Sequence, residues 1–97
     1  MRTLLKVTIP VEAGNAAIKD GSLPRIIGEF LERQKPEAAY FLTDRIGRRM
    51  MLAVVDMKDP SDIPSLAEPF FMGFNAAVEA TPVMTAEDLK KGLAKIS

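Results

Sequence analysis

An α+β fold with element order β-α-β-β-α-β and a closing helix is predicted by three features of the sequence. Short β-favouring runs alternate in hydrophobicity with period two. An apolar stripe at i, i+3, i+4, i+7, i+8 follows the first run, and prolines and glycines fall at the boundaries between runs. The 97 residues form one domain, 1–97, with no internal repeat, linker or low-complexity tract.

Thr3 to Ile9, "TLLKVTI", puts Leu5, Val7 and Ile9 on one face and Leu4, Lys6 and Thr8 on the other, and Pro10 closes the strand. "VEAGNAAIKDG" supports one or two helical turns up to the Asp20-Gly21 break. Ser22 is the expected N-cap of the first main helix, with Pro24 in its first turn. Leu23, Ile26, Ile27, Phe30 and Leu31 supply the apolar stripe of that helix, and Pro36 stops it. "EAAYFLT", Glu37 to Thr43, is the second strand and "RRMMLAVVDM", Arg48 to Met57, the third. "DRIG" between them suits a hairpin loop in which Gly47 takes a positive φ.

The second main helix starts near Asp59 or Ser61. Pro69 lies deep inside it, lacks an N–H and opposes the carbonyl of Ser65, which predicts a kink or break. "NAAVEATPV" is the fourth strand, ending at Pro82. Thr85 caps a short last helix, with Asp88 three residues on and Lys90, Lys91 and Lys95 toward its end. This order is the split βαβ, or ferredoxin-like, arrangement with sheet order 4-1-3-2 and both main helices on one face. The third strand is apolar on both sides, Met51, Ala53 and Val55 alternating with Met50, Leu52 and Val54. Helices cover one side only, so a sheet-to-sheet homodimer is the expected cover for the other.

Composition excludes several function classes. Thirteen basic and thirteen acidic residues give zero formal net charge, so no nucleic-acid partner is expected. The absence of cysteine excludes disulfides, thiolate catalysis and sulfur-ligated zinc. Without histidine the commonest general base, metal ligand and haem ligand are missing too. No metal site and no cofactor are expected. The longest apolar segments fall far short of the ~20 residues of a membrane span, and the N-terminus reads as a strand in place of a signal peptide. A cytoplasmic protein with no membrane partner is the expectation.

The element order, the length and the ending "FNAAVEATPVMTAEDL" resemble the small stand-alone proteins of the dimeric α+β barrel superfamily. Within it they are most similar to bacterial members described only as domains of unknown function. The resemblance implies a homodimer. The superfamily also holds cofactor-independent monooxygenases, haem-degrading enzymes, muconolactone isomerase and members with no known activity. The lack of histidine departs from the haem-degrading pattern.

Candidate functional residues follow. Ala77, Glu79 and Thr81 share a face of the fourth strand, antiparallel to the first, where Lys6 interrupts an apolar run in the same way. Glu79 is either the cross-strand partner of Lys6, holding register, or a general base in apolar surroundings. Tyr40, the single tyrosine, either packs its ring or offers its hydroxyl to a ligand or oxyanion. Phe70, Phe71, Met72 and Phe74 follow Pro69, with Glu68 and Asn75 flanking them. They read as core or as the wall of an apolar pocket between sheet and helices. Met50, Met51 and Met72 would suit an adaptable pocket or interface. Asp44, Arg45, Arg48 and Arg49 read first as a solvated, salt-bridged turn and second as a clamp for an anionic substrate, with Glu12 and Asn15 in reach of the cavity mouth. The leading expectation is a homodimer that binds a small apolar or aromatic molecule through Tyr40, Glu68, Phe70, Phe71, Phe74, Asn75 and Glu79. The alternatives are a cofactor-independent enzyme of the monooxygenase or muconolactone-isomerase kind, with Glu79 and Tyr40 as catalytic candidates, and an assembly component with no ligand.

Overall fold

Alternation along β1 (Arg2–Ile9) sets the two sides of the sheet: Thr3, Leu5, Val7 and Ile9 are buried, whereas Leu4, Lys6 and Thr8 are only half-buried. The computed structural model, which describes residues 1–96, pairs this strand antiparallel with both β3 (Arg49–Asp56) and β4 (Ala77–Pro82). Pairing of β2 (Ala38–Thr43) with β3 completes an open, four-stranded antiparallel sheet in the order β2-β3-β1-β4, which is 4-1-3-2 counted from the opposite edge. The one buried polar residue of the first strand, Thr3, donates its hydroxyl to the Met1 carbonyl at 3.1 Å, so it carries no unmet hydrogen bond.

All the main helices lie on one face. α1 (Val11–Lys19) follows β1 directly, and its nine residues exceed the one or two turns expected. Gly14 and Asn15 weaken its intrinsic propensity. Gly14 is nevertheless buried so close to Ile9 and Arg49 that a Cβ there would lie 3.2 Å from the Ile9 side chain, and this packing on the sheet offsets the poor propensity. α2 (Ser22–Gln34) carries the predicted stripe, with Phe30 fully buried. Its N-cap is Gly21 at φ 80°, not Ser22. Ser22 is already helical and its N–H donates to the Asp20 carboxylate at 2.8 Å, so the Asp20 side chain takes over the service expected of the serine.

α3 (Ile63–Phe74) follows a single 3₁₀ turn at Pro60–Asp62, capped by Asp59 and Asp62. It continues through Pro69 without interruption, contrary to the expected break. The missing N–H costs one hydrogen bond, but burial of Leu66, Ala67, Phe70 and Phe74 on both sides of the proline holds the helix together. Phe30 and Phe70 meet edge to face at 5.2 Å, and Phe70 touches Phe74 at 6.3 Å. These rings, with Leu5, Val7, Met51 and Val55, fill the space between helices and sheet. α4 (Ala86–Ala94) has the predicted capping box: the Asp88 N–H donates to Thr85 Oγ1 at 3.2 Å and the Thr85 N–H to Asp88 Oδ2 at 3.0 Å. Gly47 takes φ 86° in the β2–β3 hairpin, as that turn requires.

Candidate functional site on the open face of the sheet

The side of the sheet away from the helices carries three cross-strand rows. The register aligns Leu42, Met50, Thr8 and Ala77 in one row, Tyr40, Leu52, Lys6 and Glu79 in the next, and Ala38, Val54, Leu4 and Thr81 in the third. The β2–β3 half is apolar, and the β1–β4 half sets Thr8, Lys6, Glu79 and Thr81 beside Leu4 and Ala77. Among the described residues no layer covers these rows, and Leu4, Met50, Leu52 and Val54 are left half-buried beside an exposed Tyr40.

Lys6 and Glu79 stand directly opposite one another, with Nζ 3.7 Å from Oε2. Their side chains are 43% and 67% exposed, so in the single chain the pair is solvated and weak. Next to them is a hollow of about 510 Å³, bounded by Lys6, Glu79, Leu42, Met50, Arg45 and Arg48 among others. The β2–β3 hairpin forms its rim. Asp44 organises that rim, accepting from the N–H groups of Ile46 and Arg48 and from Arg48 Nε at 2.7 Å. The Arg48 N–H foremost, with the Arg48 side chain and the Ile46 N–H, holds the Asp44 carboxyl below the ordinary aspartate range. Arg48 is thereby fixed, while Arg45 is exposed at the lip.

The structure separates the residues singled out from the sequence. Glu79 and Tyr40 share a row but sit on the two edge strands, three strand spacings or about 14 Å apart. Phe70 and Phe74 are 1% exposed and serve as core, so the expected pocket wall between sheet and helices is filled by the rings themselves. Phe71, 38% exposed, and Glu68 lie on the outer surface of α3. Asn75 ends that helix at φ 52°, donating its N–H to the Phe71 carbonyl at 3.0 Å, which is a capping role. Asn15 meets Arg49 at 3.1 Å on the helix side, away from the hollow. Thr8 and Leu42 were missed as site residues, whereas Arg45 and Arg48, expected as a turn or an anion clamp, do line the hollow. Continuing the Lys6 alternation to Thr8 and pairing it across to Met50 and Leu42 would have found both missed residues.

Among the described residues, no group of three or more carboxylates is placed to hold a metal ion, and no helix is long and apolar enough to cross a membrane. The family described as a domain of unknown function (DUF3303) matches residues 25–97, from within α2 through the end of the chain. No curated protein and no solved structure matches.

Proposed function

The chain belongs to the family of domains of unknown function DUF3303, and from that premise we propose that it works as a ferredoxin-like homodimer. Two open sheet faces close on each other as a barrel, around a chamber for a small, largely apolar molecule with one polar group. The observation that carries this reading is the half-buried patch of Leu4, Leu52 and Val54 beside Met50, apolar side chains of a sheet whose opposite face is already packed. Burying a large apolar side chain fully is worth about 1.5–3 kcal/mol, and the second half of that burial remains to be gained at each of these positions. The hollow beside Lys6 and Glu79 has a mixed lining, with apolar Leu42, Ile46 and Met50 to hold the ligand's body and Lys6, Glu79, Arg45 and Arg48 among the polar groups that would orient its polar end. Closure would also dry the Lys6–Glu79 pair and strengthen it.

Native mass spectrometry on protein purified without added ligand tests both halves. The expected species carries two 10.6 kDa chains and a retained small molecule. Leu52→Glu, placing a charge in the central row, should give a folded monomer with an unchanged far-ultraviolet circular dichroism spectrum. A wild-type monomer at micromolar concentration, or a Leu52→Glu dimer as tight as wild type, overturns the barrel. An empty dimer that retains nothing from any extract overturns the chamber.

A further inference from the structure

α4 is the least integrated element of the fold. The radius of gyration is 15.2 Å and the longest extent 54 Å, whereas a compact domain of this length has a radius of about 12.5 Å. The accessible surface, 6557 Å², exceeds by about 1,100 Å² what a compact monomer of this mass exposes. A standard protein–protein interface takes about 800 Å² from each partner. The excess is therefore of interface size.

Part of it lies on α4. Thr85 and Asp88 turn toward the body, and Asp88 reaches to 3.9 Å from Arg2. The neighbouring stripe faces outward: Leu89 is 46%, Leu93 53% and Ile96 82% exposed, and Met84 just before the helix 67%. Glu87, Lys90, Lys91 and Lys95 occupy the rest of the circumference.

We propose that the Leu89–Ile96 stripe is a docking surface for a second copy of this chain, seated where β2 of that copy begins, at Ala38. The inference rests on the sheet-to-sheet reading above and adds an arm to it. The sheet has two unpaired edges, β2 and β4. With the open faces stacked, a two-fold axis along the strands sets β4 of each copy beside β2 of the other. The two run antiparallel, and the ring closes with no free edge. That axis preserves height along the strands. Ala38, Val54, Leu4 and Thr81 share one height, so Thr81 of one copy arrives beside Ala38 of the other. α4 starts at Ala86, just past the end of β4 at Pro82. Its stripe is delivered to the start of the facing β2, at Ala38.

The chain has no cysteine, so single cysteines report without background. Leu89→Cys protein is mixed with tagged Ala38→Cys protein and treated with a short bis-maleimide. The mixed covalent dimer is expected as the main product, absent when either variant is treated alone. The double variant Leu89→Asp/Ile96→Asp, which touches no core residue, should dissociate at least about tenfold more readily. If wild type is dimeric, no mixed product forms and the double variant dimerises as tightly as wild type, the arm is refuted and the sheet-to-sheet barrel stands. A wild-type monomer refutes both. Stripe-dependent binding to anionic vesicles with no mixed product assigns the stripe to a lipid surface and overturns the proposal.

Discussion

Asp44 does much with one carboxylate. Its side chain is only 9% exposed and its three hydrogen bonds tie both ends of the hairpin to one point. Four other aspartates are also held below their ordinary range: Asp20 chiefly by the Ser22 hydroxyl, Asp56 by the N-terminal ammonium, Asp59 by the Ser61 hydroxyl and Asp88 by the Thr85 N–H. A carboxyl whose folded-state affinity for protons is lowered contributes stability above the unfolded-state range, and loses it as pH falls through the lowered value. The melting temperature should therefore be flat near neutrality and fall below about pH 4. Asp44→Asn keeps the shape but not the charge, so it should melt lower at pH 7 and lose less on acidification. Thermal melts from pH 7 to pH 2 check this, and superimposable curves for the two proteins would contradict it.

At the scale of the element, Pro69 is the informative position. A proline in a helix interior forfeits one hydrogen bond and opposes the carbonyl four residues back, at a cost of about 3 kcal/mol relative to alanine. Because α3 runs through the site intact, Pro69→Ala should stabilise the fold by about 1–3 kcal/mol, read from urea midpoints with an unchanged slope. A destabilised variant would mean that the ring itself packs at that position. The same helix shows where local signals stop. Element identities were legible because period and punctuation agree: Leu23 to Leu31 repeats helically, and Thr85 with Asp88 marks a helix start by chemistry alone. α1 was underestimated and α3 broken too early because burial of Gly14 and Phe70 is decided by distant residues, which outweigh local propensity.

At the scale of the whole molecule, the Lys6–Glu79 pair reports on assembly. Exposed as in the single chain, it should couple by about 0.2–1 kcal/mol in a double-mutant cycle with Lys6→Met and Glu79→Gln. Enclosed between two sheets, it should couple more strongly, and the surplus should vanish in the Leu52→Glu background. Equal coupling in both backgrounds would place the pair outside any interface. This pair was legible because antiparallel register follows from element order, and interruptions of two apolar strands fell opposite each other. The phenylalanine pocket was not. Cores and apolar pockets draw on the same residue types, and only the packing of Phe30 against Phe70 shows that this space is filled. The hollow under the hairpin depends on a turn curling over the sheet, a feature no single segment encodes.

The edge at β2 has a consequence for how the chain survives in the cell. Tyr40, Phe41 and Leu42 are 65%, 56% and 43% exposed on a strand with one free side, and the uncharged run from Ala38 to Thr43 has the composition of a fibril-forming segment. Lys35 and Pro36 before it and Asp44 and Arg45 after it are the gatekeepers that slow such stacking. They flank the run without interrupting it. If the proposed dimer forms, newly made chains face a race between finding that one mate and templating many wrong ones, and the outcome is set by synthesis rate as much as by stability.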